Sequence, residues 1–234
     1  MSELFSIQLQ NRQQQGRDGI WLDLPTTTEQ VQAALRQIDI SSDNPQGLFI
    51  SGYFAEEEKR FAIPYNMVLA SNVDELNFLA SRLETLSAGE RAELNAALQA
   101  PQSELSSIGR ITDFPENVDY YVHLPEVHGP AQLGDYYLNR SGMVDMPEEW
   151  KGGIDTAQFG RYVAQQEQGV FTQYGYLVKS GDVWQKVHEG QPVPEEYRVL
   201  SFPASEILRD AANIPPPVQP ETEPQKVIPI ILNG

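Results

Sequence analysis

Nine of the 17 prolines in this chain fall between residues 192 and 229, three of them consecutive at Pro215-Pro216-Pro217. Proline locks φ, removes a backbone donor and pushes the preceding residue away from helix. A stretch so rich in it contributes little regular structure, so the body of the fold must come from the residues before about 181. Asn213 to Lys226 is expected to be extended or disordered. Ser205 to Ala212 has room for one short helix, and Val227-Ile228-Pro229-Ile230-Ile231-Leu232 is apolar enough for an edge strand.

Ahead of that tract the hydrophobic period changes twice. Residues 4–9, Ile20 to Leu24 (stopped by Pro25) and Leu48 to Phe54 read as strands. Between the last two, Val31, Ala34, Leu35 and Ile38 share a helix face, with Thr26, Thr27 or Thr28 available as cap and Glu29 in the first turn. Near residue 70 the pattern becomes helical. Ser71 or Asn72 can cap a helix built on Val73, Leu76, Leu79, Ala80 and Leu83. Ser87 and Glu90 then form a capping box for a second helix carrying Leu94, Ala97 and Leu98, with Pro101 beyond its end. From residue 105 the pattern is mixed again: a strand over Asn117–Leu124, a helix over Gln132–Asn139, a helical turn at Pro147, a helix over Thr156–Gln166 and a strand at Gly175–Val178. The expected class is α+β, with an α+β domain at 1–70, a helical domain at 71–112, a second α+β domain at 113–180 and a proline-rich extension at 181–234. An apolar fraction of 40% also favours small modules over one large core.

The formal charge is −17, and it is evenly spread: residues 1–115 carry 16 acids and 8 bases, residues 116–234 carry 17 acids and 8 bases. The whole body therefore carries a negative field, which repels nucleic acid and anionic lipid and attracts basic surfaces. Sixteen Lys and Arg among twice as many acids form no patch, so direct nucleic-acid binding is not expected. Without cysteine there is no disulfide, thiolate nucleophile or Cys-ligated zinc. No apolar run approaches the roughly 20 residues of a membrane span, and Met1-Ser2-Glu3-Leu4-Phe5 lacks a signal-peptide pattern, so a cytoplasmic location is expected. His123, His128 and His188 have no metal-ligand spacing, and neither a nucleophile elbow nor a phosphate loop nor a dinucleotide fingerprint is present. The pairs Glu56-Glu57-Glu58, Asp74-Glu75, Glu148-Glu149 and Glu195-Glu196 offer no ground for choosing a catalytic couple. The chain is read as a non-enzyme without cofactor or metal.

Three segments, in order, carry a resemblance. Gly19-Ile20-Trp21-Leu22-Asp23-Leu24-Pro25 is similar to the opening element of the ArdA antirestriction family, and Val73 to Ala80 with the helices up to Gln99 resembles its helical middle domain. The most specific part runs from Leu133-Gly134-Asp135-Tyr136-Tyr137 through Gly142-Met143-Val144-Asp145-Met146-Pro147-Glu148-Glu149-Trp150 and Ile154-Asp155 to Gly175-Tyr176. It resembles the segment known in that family as the antirestriction motif. The resemblance covers about residues 4–180. It implies three small domains in an elongated, curved homodimer that mimics DNA, fills the DNA-binding groove of type I restriction-modification enzymes at their methyltransferase core, and inhibits them. It also implies dimer contacts near 142–155, at Gly142, Met143, Val144, Met146, Pro147, Trp150 and Ile154.

The carboxylates expected to face such a partner lie outside the apolar faces: Asp74, Glu75, Glu84, Glu90 and Glu93 in the middle module, then Asp135, Asp145, Glu148, Glu149 and Asp155. For Glu90 helix capping competes with this role, and Asp23 suits a structural one. The alternative reading is an acidic adaptor that binds another basic protein through its body or its proline-rich tail.

Overall fold

The computed structural model describes residues 4–14, 16, 18–41, 46–56, 60–101 and 103–200. The expectations for residues beyond 200, including the helix at Ser205–Ala212 and the terminal apolar strand, lie outside the described residues. The fold is mixed α+β, with two small three-stranded antiparallel sheets and several short helices.

In the first sheet β1 (Phe5–Asn11) lies between β2 (Ile20–Leu24) and β3 (Leu48–Phe54). Phe5, Ile7 and Leu9 alternate with half-buried polar residues, so one face is buried and helix α1 (Thr28–Gln37) covers it through Val31, Ala34 and Leu35. The cap of α1 is Thr27, and its reciprocal partner is Gln30 rather than Glu29, because only the third helical position reaches back to the cap amide.

The middle of the chain holds α2 (Tyr65–Leu69), α3 (Val73–Glu84), α4 (Ala88–Gln99) and α5 (Ile108–Thr112). Asn72 caps α3, and Ser87 with Glu90 boxes the start of α4. Helix α3 is buried on far more of its circumference than its apolar stripe requires: Asp74 and Asn77 are buried together with Val73, Leu76, Phe78, Leu79, Ala80 and Leu83. What covers the extra face is the segment after residue 181. Phe78 packs edge-on against His188 and tilted against Tyr197, while Val199 and Leu200 are buried. The expected boundary at 181 thus falls ahead of residues that pack on α3 and α5.

The second sheet has the order β4 (Tyr121–Leu124), β6 (Gly175–Lys179), β5 (Val170–Thr172). The strand expected from Asn117 begins only at Tyr121. The Asn117 side chain donates to Asp113 O at 2.7 Å and pairs with the backbone of Gln185, which holds Val118–Tyr120 in a 3-10 turn. The helix expected over Gln132–Asn139 is α6 (Pro130–Asp135) continued by a π-helical turn at Tyr136–Arg140. Two further helices follow, the short α7 (Glu148–Lys151) and α8 (Thr156–Glu167). Gly134 and Gly160 face each other's helices closely enough that a Cβ on either would overlap a backbone carbonyl, of Thr156 and Pro130 respectively. Among the described residues no helix is long and apolar enough to cross a membrane.

Candidate functional site

Carboxylates fixed at helix starts are the chain's repeated device. Glu75 Oε2 accepts the Asn72 amide at 3.3 Å, and Glu90 Oε2 accepts the Ser87 amide at 2.7 Å. The Ser87 hydroxyl and amide hold the Glu90 carboxyl below its ordinary range, so it stays charged. Glu84, at the end of α3, is half-exposed. The capping bonds hold the Glu75 and Glu90 carboxyls in defined positions.

Asp74 and Glu93 behave differently. Asp74 Oδ1 accepts the amides of Val199 at 2.7 Å and Leu200 at 2.9 Å, and only 5% of the residue is exposed. Burial raises its pKa in spite of those amides and of Arg198 nearby. Glu93 is pushed up to about 8, first by burial and then by Glu90 and Asp119, and its Oε1 has no hydrogen-bond partner among the described residues. Near pH 7 it is mostly protonated. Asp74 thus points its carboxylate inward, whereas Glu93 is half-buried with one carboxyl oxygen shielded from solvent, so α3 is covered more widely than its apolar stripe.

In the third part of the chain the acids are more open. Asp145, Glu148, Glu149 and Asp155 are exposed and Asp135 is half-exposed. Asp155 caps α8 by accepting the Gln158 amide at 2.9 Å, and Glu148 and Glu149 occupy the first turn of α7. Carboxylates there complement the helix dipole. Lys151 pairs with Glu148 at 2.6 Å, while Asp135 is held by Asn139 at 2.8 Å and by Arg140 at 3.4 Å. Interleaved with these acids is an apolar segment: Met143 is 76% and Trp150 69% exposed, Gly142 turns with φ +69°, and Pro147 caps α7. Val144, Met146 and Ile154 are half-buried.

Sequence reasoning missed the polar groups that lock the middle of the chain to its later part. Asp113 is fully buried and accepts the amides of His188 and Glu189 at 2.6 and 3.3 Å. Asn77 accepts the Thr26 amide at 2.7 Å and donates to Tyr197 O at 3.0 Å. Arg110 bridges Glu104 and Glu189, and Lys179 joins the same Glu104. These pairings span up to 120 positions, so no local pattern could announce them. Glu167, in the last turn of α8, accepts the hydroxyls of Tyr137 and Tyr176, whose pKa values rise through burial and that carboxylate. His123 Nε2 lies 2.8 Å from Tyr174 O, and no cluster of three or more His, Asp or Glu able to hold a metal occurs among the described residues.

A family model for the antirestriction protein ArdA matches residues 15–178. The chain belongs to the ArdA family. None of the curated proteins compared with it matches. Membership in the ArdA family supports an antirestriction function, and with it interaction with restriction-modification enzymes in general. The matched span holds every displayed carboxylate named above and the exposed Met143–Trp150 segment. The residues from 188 to 200 that pack on α3 and α5 follow the end of the ArdA match.

Proposed function

We propose that this ArdA family member is a DNA mimic that occupies the DNA-binding groove of a type I restriction-modification enzyme, at its methyltransferase core, and so inhibits it without catalysis and without binding nucleic acid itself. The observation that carries the reading is the placement of acids at helix starts, half-exposed at Glu75 and Glu90 and exposed at Glu148, Glu149 and Asp155. Mimicry needs negative charge held in position rather than on free side chains. B-DNA presents one charge per about 1.7 Å of axis, and its readers answer with fixed Lys and Arg. Capping bonds and helix dipoles give these carboxylates comparable fixity. The 33 acids against 16 bases supply the long-range field that steers association.

In this reading the chain forms three small domains in an elongated, bent homodimer joined through Gly142–Asp155. The exposed Met143 and Trp150, with Val144, Met146 and Ile154 beside them, supply an apolar interface there. The protein works in the cytoplasm, as an inhibitor carried by a mobile genetic element.

The test is competition between the chain and duplex DNA for a purified type I methyltransferase at about 0.1 M salt. Mimicry predicts displacement of DNA that weakens as salt rises. Neutralising Asp145, Glu148 or Glu149 singly should cost less than about threefold in affinity, and neutralising all three about tenfold, because exposed charges each contribute little. Absence of competition by the unmodified chain would overturn the reading, and so would complete loss of inhibition from one of these substitutions.

A further inference from the structure

The outer face of the first sheet carries an aromatic platform with a carboxylate at its edge. Gln8 on the central strand pairs with Trp21 on one side and with Gly52 on the other. Trp21 and Gly52 are thus two inter-strand spacings apart, about 9.5 Å, yet Trp21 Cη2 lies 3.0 Å from where a Cβ on Gly52 would stand. An indole that reaches so far must lie along the sheet, across the central strand, with its other ring face turned to solvent. Trp21 is 48% exposed. Phe54, 58% exposed, stands edge-on to it with centroids 6.5 Å apart and planes at 74°. Asp23, two residues along on the same face, is exposed and held by the Ser6 hydroxyl at 2.6 Å. Tyr65, also exposed, borders β3 through its hydroxyl bond to Ser51 O at 3.1 Å.

A flat, electron-rich ring beside a fixed carboxylate suits a planar, delocalised cation. A guanidinium can stack on the indole and still pair with Asp23; an ammonium, a compact and strongly hydrated charge, gains less from the ring. The sheet makes the same kind of contact internally, with the Arg12 guanidinium 5.4 Å from the Phe49 ring centroid. The formal charge of −17 draws basic protein surfaces here and repels the phosphates that would accompany a stacked base.

We propose that Trp21, lying over Gly52 and flanked by Phe54 and Asp23, is a docking platform for an arginine presented by the basic DNA-binding partner. It adds a short-range, arginine-selective contact to the carboxylate field, and it rests on the mimicry reading for the identity of that partner.

Hexa-arginine and hexa-lysine peptides, titrated calorimetrically into the full chain while the Trp21 indole N–H resonance is followed, test the platform directly. The arginine peptide should bind about fivefold more tightly than the lysine peptide. That preference should vanish in Trp21→Ala and be largely kept in Trp21→Phe, with thermal midpoints reporting that both variants fold. Equal affinity for the two peptides, a preference that survives Trp21→Ala, or tighter binding of maltohexaose or a single-stranded oligonucleotide at Trp21 would overturn the proposal. With the methyltransferase, Trp21→Ala should weaken binding about fivefold and leave its salt dependence unchanged, since no charge is removed. An unmodified chain that shows the peptide preference and yet fails to displace DNA from the enzyme would sink mimicry and leave the platform standing. An enzyme bound equally well by both chains would overturn the platform and leave mimicry intact.

Discussion

The carboxylate of Asp74, at the second position of α3, accepts the backbone amide of Leu200 at 2.9 Å across 126 positions of sequence. The same oxygen takes the Val199 amide at 2.7 Å. A buried acceptor serving two buried donors has a structural meaning that an exposed acid lacks: its removal strands both amides without water.

Asp74→Ala should therefore lower stability by about 2–4 kcal/mol, the cost of leaving buried donors unpaired. Urea unfolding followed by circular dichroism measures it. Per folded molecule, the variant should compete for a restriction-modification enzyme as well as the unmodified chain does, since this charge faces inward. A loss of affinity without a loss of stability would place Asp74 in the partner surface instead.

Glu93 gives a pH dependence of definite sign. Its carboxyl titrates near 8 in the folded chain against an ordinary value of 4.5, so between those values the folded state binds more protons than the unfolded state. Stability then falls as pH rises through that window. Glu93→Gln keeps the shape and removes the titration. The substitution should raise the thermal midpoint at pH 8 and change it little at pH 4.5. Each kcal/mol recovered corresponds to about 2–4 °C for a chain of this size. A midpoint difference that did not depend on pH would count against the buried, protonated state.

Gly160 marks the closest approach of α6 and α8, where a Cβ would overlap the Pro130 carbonyl. Both neighbours at that contact are backbone, which cannot swing aside as a side chain can. Gly160→Ala should force the two helices apart and destabilise the chain by about 1–3 kcal/mol, although alanine is the better helix former. Gly89→Ala, in α4 with open space around it, is the control and should be neutral or stabilising. Thermal melts of the two variants side by side decide the matter.

Much of the element list was legible because it depends on neighbours in sequence. The cap of α3 (narrowed to Ser71 or Asn72), the capping box at Ser87–Glu90, the strand at Leu48–Phe54 and the helix from Thr156 are each specified within a few residues. The π turn at Tyr136–Arg140 and the short helices Tyr65–Leu69 and Ile108–Thr112 were not read from the sequence, since elements of about one turn leave too few positions for a period to emerge. Of the ten acids singled out, the sequence could not separate Asp74 and Glu93 from Glu75 and Glu90. All four lie on amphipathic helices, and the difference is made by what packs on them from elsewhere.

By itself the sequence determined the α+β class, the evenly spread negative charge and the ordered motifs that place the chain in the ArdA family, because composition and local spacing carry all three. Tertiary structure alone decided which carboxylates face outward, that residues 188–200 pack on α3 and α5, and that the Trp21 side chain reaches across the central strand to Gly52. Exposure is a property of pairs of segments far apart in the chain, and a helix face reads the same whether water or another strand of backbone covers it.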